Sequence, residues 1–128
     1  MAKRSLQEKT ADFDKALQSL QRLVDVKKPD DVCIDAAIQR FEYTYELSWK
    51  TLKTYIEERL GESPKFPKQV LSTAYQANLI DDETQWLTLL NDRNLTSHLY
   101  SEAMSRNIFS HFKTYVALFQ KLLEKLRA

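Results

Sequence analysis

The stretch Asp31–Leu60, DVCIDAAIQRFEYTYELSWKTLKTYIEERL, decides the fold. Its apolar residues recur every three or four positions, so at 100° per residue they fall within about 60° of one line along a helix. These residues are Ile34, Ile38, Phe41, Tyr45, Trp49, Leu52 and Ile56. Asp30 or Asp31 can cap the start, and Gly61 is placed to end the helix. We therefore predict one long helix, buried along this face.

The same spacing predicts a helix before this stretch and a short one after it. The first helix should run from Ser5 to about Val26, with Ser5 accepting hydrogen bonds from the free amides of the first turn. Beyond Gly61, Pro67 can occupy the first turn of a short third helix, because its missing N–H costs nothing there.

Two further helices are predicted in the C-terminal half of the chain. Asp81 or Asp82 should start a fourth helix that runs to about Ser97, and Ser101 should open a last helix that continues to the end of the sequence. The last helix has a wide apolar face. Its members are Met104, Ile108, Phe112, Tyr115, Phe119, Leu122 and Leu126, widened by Val116 and Leu123.

The composition agrees with this helical pattern. The 128 residues include one glycine and three prolines, and both residue types are consumed by turns and strand-rich folds. The length and the 43% hydrophobic content suit one domain over residues 1–128. We predict an all-α protein, an antiparallel up-and-down bundle of four to five helices.

Charge and cysteine content exclude several classes of function. Lys and Arg number 19 against 18 Asp and Glu, and a net charge of +1 gives too weak a field for DNA wrapping or membrane attraction. Cys33 is the only cysteine, which excludes an intrachain disulfide. No apolar run approaches the length of a membrane span, and Met1–Leu6 is polar. A cytoplasmic protein that binds neither DNA nor membrane is expected.

Most motifs for metals and cofactors are missing from the sequence. It has no glycine-rich phosphate loop, no paired histidines on a helix and no cysteine cluster, so we expect no metal and no cofactor. Glu42 and Glu46, four residues apart, could present two carboxylates to a metal. Helix-surface glutamates are more often solvated or paired, here with Lys50, and we favour that structural role.

An aromatic group on the long helix admits two interpretations. Tyr43, Tyr45 and Trp49 could form a platform on which nucleic-acid bases stack. Tyr45 and Trp49, however, already belong to the predicted buried face, so packing is the favoured role.

The segment Asn91–Tyr100, NDRNLTSHLY, gathers polar groups where the fourth helix gives way to a turn. Five residues on a regular helix rotate His98 about 140° away from Arg93. Both can meet one ligand only if the helix frays or a second chain contributes. An imidazole can accept a proton from a ribose 2′-hydroxyl near neutral pH, while a guanidinium can hold the charge that develops on phosphate.

Two parts of the sequence resemble a known family. Arg93 followed by Asn94, with His98 after four intervening residues and Tyr100 two positions later, resembles the Arg-polar-x3-His-x-Tyr motif of HEPN ribonucleases. The run RFEYTYELSWKTLK at residues 40–53 is similar to the signature of the HEPN branch described as nucleotidyltransferase substrate-binding proteins.

This resemblance implies a homodimeric toxin of a toxin–antitoxin module, whose partner is a minimal nucleotidyltransferase. In such proteins the motif is a metal-independent RNA-cleaving centre, which makes Arg93, Asn94 and His98 the candidate catalytic residues. Tyr100 corresponds to the tyrosine that the partner adenylylates to silence the toxin. The branch name implies an alternative, a non-catalytic subunit that holds the acceptor substrate while the nucleotidyltransferase acts on it.

Overall fold

The structure, a computed structural model, describes residues 4–128, which contain helices and no strands. The helices are α1 (Leu6–Val24), α2 (Asp31–Tyr55), α3 (Pro67–Gln76), α4 (Glu83–Leu95), α5 (Glu102–Phe109) and α6 (Phe112–Arg127). A π-helical turn, Ile56–Leu60, extends α2, and a 3₁₀ turn, Thr96–His98, follows α4. The predicted all-α bundle is confirmed. Within residues 4–128, none of the helices combines the length and apolar character needed to cross a membrane.

The predicted start and stop signals operate as expected on the first two helices. The hydroxyl of Ser5 accepts from the Glu8 amide at 3.0 Å, and the Glu8 carboxylate accepts from the Ser5 amide at 3.1 Å. Asp30 accepts from the Cys33 amide at 2.8 Å. Gly61 ends the π-helical turn with a φ of 69°, a left-handed conformation that side chains with a Cβ rarely adopt.

The prediction of one continuous last helix is wrong, because the chain bends between α5 and α6. The Ser110 amide bonds to the Arg106 and Asn107 carbonyls, and the Ser110 hydroxyl also donates to the Asn107 carbonyl. Side-chain bonds of this kind compete with the helical ladder. The bend turns Met104 away from the predicted apolar face, and its side chain is 41% exposed.

Aromatic stacking holds α2 against α6 in one contiguous core. Phe41 of α2 stacks on Phe112 of α6 with ring centroids 4.6 Å apart. Further along α6, Phe119 meets Phe13 of α1 and Trp86 of α4 edge to face, at 5.9 and 5.6 Å. Most of the wide apolar face predicted for the last helix is therefore buried in the protein's own core.

The buried face predicted on α2 is correct except at one position. Trp49 is only partly buried, and its indole nitrogen donates to Glu46 at 3.2 Å. The other members of the predicted face are all buried. Trp49 lies at the edge of this stripe, about 40° from its centre line, where an amphipathic side chain can reach a polar neighbour.

Candidate active site

The motif segment begins on a regular helix and ends outside it. Arg93 lies in the last turn of α4, which stops at Leu95, and the tighter 3₁₀ turn then carries His98. Leu99 is extended, with φ of −90° and ψ of 98°. The loss of regular helix between Arg93 and His98 is one of the two conditions under which both side chains could serve one ligand.

Arg93 is anchored to α2 by a three-membered polar network. Its Nη1 atom lies 3.3 Å from Glu42 Oε2 and donates to the Thr96 hydroxyl at 3.1 Å. The Thr96 hydroxyl lies 2.9 Å from the same carboxylate oxygen. A planar guanidinium held on one edge keeps its orientation while the rest of the group stays available to a ligand.

The two glutamates of α2 have different partners. Glu46 lies 3.7 Å from Lys50, as the sequence predicts, but Glu42 pairs with Arg93 across the helix interface. Sequence reasoning missed Glu42 and Thr96 as parts of the site. Only the tertiary packing of α2 against α4 shows which of two equivalent-looking glutamates meets the arginine.

Two polar atoms beside this network are buried without a hydrogen-bond partner within residues 4–128. They are Arg93 Nε and the hydroxyl of Tyr45. Burial raises the pKa of Tyr45 well above its usual value, and the positive charge of Arg93 opposes that shift. Unpaired buried polar groups are rare and costly, and they concentrate where function constrains a side chain.

His98 and Tyr100 form a second, exposed pair. His98 Nδ1 lies 2.8 Å from the Tyr100 hydroxyl, with the two rings nearly perpendicular. Tyr100 is 79% exposed, so its hydroxyl can be reached from solvent. The other ring nitrogen of His98, Nε2, makes no hydrogen bond within residues 4–128 and is free to exchange a proton with a ligand.

Within one chain the motif residues do not form a single closed site. Arg93 faces α2, whereas His98 turns toward Tyr100, and no hydrogen bond joins the two within residues 4–128. Asn94 is exposed, and its backbone carbonyl accepts from the Ser97 hydroxyl at 3.1 Å. The helix end therefore presents an arginine, an amide and an imidazole to solvent from adjacent positions.

The surface on the far side of Tyr100 is acidic. A hollow of about 280 Å³ between α2 and α5 includes Asp31, Asp35 and Glu102. Its one cation, Arg106, is bound by Asp31 and Glu102, each at 3.1 Å. Three carboxylates against one guanidinium give this hollow a negative charge, which disfavours a phosphate group there.

The described part of the chain offers no group of three or more histidine, cysteine, aspartate or glutamate side chains positioned to hold a metal ion. An imidazole and a guanidinium at these positions are groups that can transfer a proton and stabilise negative charge.

The fold and this helix end define an all-helical protein that carries an arginine, a histidine and a tyrosine in one candidate segment. The chain belongs to the family described as nucleotidyltransferase substrate binding protein like, whose model matches residues 8–128.

Individual relatives agree with this assignment. A Haemophilus influenzae protein named probable ribonuclease HepT is 31% identical over 101 residues, which cover 76% of this chain and 69% of the relative. A crystal structure from Thermus thermophilus superposes with a TM-score of 0.87 at 39% identity, covering 91% of this chain and 99% of the other. A second structure, from Haemophilus influenzae, is described as revealing the fold of a substrate binding domain of a nucleotidyltransferase. It gives a TM-score of 0.82 at 27% identity, covering 93% of this chain and 99% of the other.

Proposed function

We propose that this protein is the HEPN-type toxin of a toxin–antitoxin module, a metal-independent endoribonuclease controlled by a cognate minimal nucleotidyltransferase. The observation that carries the proposal is the helix end at which Arg93, fixed by Glu42, lies five positions before an exposed His98 with a free Nε2 atom. Similarity to a protein named probable ribonuclease supports it.

In the proposed reaction, His98 transfers a proton to or from the ribose 2′-hydroxyl or the leaving oxygen. Arg93 stabilises the charge that develops on the phosphate, and Asn94 orients one of these groups or the substrate. The 2′-oxygen bonds to phosphorus as the 5′-oxygen leaves, so the products carry a cyclic phosphate and a free 5′-hydroxyl.

A homodimer would complete this site. Within one chain Arg93 and His98 face different neighbours, and a second copy could supply the missing group. Apolar side chains at and beside the motif are exposed: Leu95 is 51% exposed and Met104 is 41% exposed. Burying such residues against a symmetric copy is a common basis for two-fold assembly.

Control by the partner would act through Tyr100. Its exposed hydroxyl is within hydrogen-bond distance of His98, so a nucleotide attached to that oxygen would break the contact with the imidazole. It would also place an anionic group where the phosphate of RNA should lie. Both effects oppose cleavage. The cytoplasm is the proposed location, because the RNA substrate and the partner enzyme would both be present there.

A second function is supported by the family description. The chain could be a non-catalytic subunit that holds an acceptor for a nucleotidyltransferase, as the descriptions of the family and of one solved relative suggest. Such a subunit would bind the partner without being modified, and it would not need the Arg93 and His98 pair for chemistry.

The deciding assay is cleavage of labelled single-stranded RNA in EDTA by the purified protein. General acid–base catalysis typically raises a reaction rate about a hundred- to ten-thousand-fold, so His98→Ala should lose that much activity. Circular dichroism should show that the fold of this variant is intact. Arg93→Lys should also fail, because a point charge cannot replace the planar guanidinium.

Arg22→Lys provides the matched control, since Arg22 is an exposed residue of α1, and it should cut like wild type. If every variant cuts alike, the activity does not belong to this site. If a folded, unmodified dimer cuts nothing, the substrate-binding subunit becomes the leading function.

A further inference from the structure

Asp92, the residue immediately before Arg93, is buried on the side of α4 that faces α6. It is the only charged residue among those buried within residues 4–128. Removing a carboxylate from water costs several kcal/mol unless hydrogen bonds compensate it. A buried charge next to the candidate catalytic arginine therefore requires a specific set of partners.

Both partners come from the start of α6. His111 Nδ1 lies 2.8 Å from Asp92 Oδ2, and the Tyr115 hydroxyl donates to the same oxygen. The two donors are four residues apart, so they lie on one face of α6 and both bond to the carboxylate. Burial, followed by the contact with Asp92, raises the pKa of Tyr115, which keeps its hydroxyl protonated as a donor.

Consecutive residues thus fix the end of α4 in two directions. Arg93 is bound to α2 through Glu42, and Asp92 is bound to α6 through His111 and Tyr115. Asp92 also lines a hollow of about 110 Å³ with Leu95 and residues of α5, directly under the turn that leads to His98. Helix ends fray unless something holds them, and this one carries the candidate catalytic groups.

We propose that the Asp92–His111–Tyr115 cluster is a clamp that positions Arg93 and His98 for RNA cleavage, with His111 and Tyr115 as positioning residues. This inference rests on the proposed function. The physical reason is that proton transfer and charge stabilisation require near-exact placement, and a misplacement of about 1 Å can cost about a hundred-fold in rate. Without the clamp, the end of α4 loses its polar link to α6 and keeps the one that Arg93 makes to α2.

His111 could instead transfer a proton itself, since it lines a second hollow of about 260 Å³ with Thr88 and Gln85. Two amide substitutions separate the possibilities. Asn places its NH₂ group where Nδ1 of histidine lies, and Gln places it where Nε2 lies. A side-chain amide cannot act as a general acid or base at neutral pH, so His111→Asn preserves only the clamp and His111→Gln preserves neither function.

The experiment measures kcat and KM on single-stranded RNA in EDTA, together with hydrogen–deuterium exchange over residues 93–99. His111→Gln should lower kcat by roughly ten- to a hundred-fold with little change in KM, and it should speed exchange in this segment. His111→Asn should restore both quantities toward wild type. Tyr115→Phe should show a smaller loss, while Tyr75→Phe, at an exposed tyrosine of α3, should behave as wild type.

Three results would overturn the clamp. The first is wild-type kcat and exchange in His111→Gln. The second is equal inactivity of both amide variants with unchanged exchange, which would make His111 a catalytic group. The third is an equal loss in Tyr75→Phe. If wild type cleaves no RNA, the proposed function fails, and the exchange comparison still decides whether the cluster orders residues 93–99.

Discussion

Glu42 of α2 and Arg93 of α4 form an ion pair of 3.3 Å in which each side chain is about one-third exposed or less. The Thr96 hydroxyl bridges the two groups, so the pair has a defined geometry that most surface ion pairs lack. Its effect on stability should be modest. Its effect on the orientation of the guanidinium should be larger.

Replacing Glu42 with Gln should therefore reduce activity more than stability. The neutral amide can still accept a hydrogen bond but no longer attracts the guanidinium, so Arg93 gains freedom to swing. We expect RNA cleavage to fall roughly ten-fold or more, with the free energy of unfolding lowered by about 1 kcal/mol or less. Glu46→Gln is the matched control, because the Glu46 carboxylate bonds to Trp49 and Lys50 of its own helix and not to Arg93. Equal losses in both variants would contradict the assigned role of Glu42.

Two buried tyrosines should respond in opposite ways to removal of their hydroxyl groups. Tyr45→Phe removes a hydroxyl without a hydrogen-bond partner within residues 4–128, so the free energy of unfolding should stay unchanged or rise by up to about 1 kcal/mol. Tyr115→Phe removes a donor to the Asp92 carboxylate and should cost about 1.5–3 kcal/mol. Urea unfolding of both variants measures the difference. A loss of similar size in Tyr45→Phe would mean that its hydroxyl is paired in solution.

Helix positions were predictable from sequence where a local signal defines them. The Ser5 cap and the stop at Gly61 each act within one helical turn, as predicted, and of the two predicted candidates Asp30 and Asp31 the structure uses Asp30 as the cap. The bend at Ser110 was not predictable in this way, because the apolar spacing continues across it. At the bend the side chains have partners that the apolar pattern does not report: the Asn107 carbonyl for the Ser110 hydroxyl, and Asp92 of α4 for His111.

The site was predictable only in part, for the same reason. The motif spacing identified Arg93, Asn94, His98 and Tyr100, and the structure places all of them at one helix end. Their partners come from elsewhere in the chain: Glu42 from α2 and His111 from the start of α6. A sequence pattern reports neighbours along a helix, whereas these contacts depend on how separate helices pack.

Charge placed at the exposed apolar residues beside the motif should prevent the proposed dimer. Leu95→Lys puts an ammonium group on a side chain that is 51% exposed, so the monomer should fold normally. We expect the dimer dissociation constant to rise by about ten-fold or more, because a buried interfacial charge must be desolvated. Phe66→Lys, at an exposed residue that precedes α3, is the control and should leave assembly unchanged. Light scattering across a concentration series measures both. A monomeric wild type at high micromolar concentration would contradict the dimer itself.

The Asp14 carboxylate, which bonds within the first helix and to the last helix, should give the stability a defined dependence on pH. Asp14 accepts from Gln18 and from Arg127, each at 2.9 Å. The bond from Gln18, aided by Arg127, lowers the pKa of Asp14 below its ordinary value of 3.8. Because the folded-state pKa is the lower one, the stabilisation is present above 3.8 and is lost as the pH falls through the folded-state value.

Asp14→Asn should therefore lower the free energy of unfolding by about 0.5–1 kcal/mol at neutral pH, with the difference vanishing in strong acid. Denaturant unfolding at several pH values measures this. Gln7→Asn on the same helix, at an exposed position, should show no such trend. A difference from wild type that persists unchanged at pH values well below 3.8 would rule out the carboxylate as its source.

Modification of Tyr100 should silence cleavage and should depend on its hydroxyl. Incubation with the cognate nucleotidyltransferase and ATP should add the mass of one adenylyl group to wild type and none to Tyr100→Phe, as measured by intact-mass spectrometry. The modified protein should lose RNA cleavage, because the nucleotide displaces the 2.8 Å contact with His98 and adds negative charge beside it.

Tyr43→Phe is the matched control for this modification, since Tyr43 is also exposed, at 40%, but lies on α2. It should gain the same mass as wild type. An equal gain in Tyr100→Phe would move the modification to another residue, and binding of the partner without any gain would favour the substrate-binding subunit.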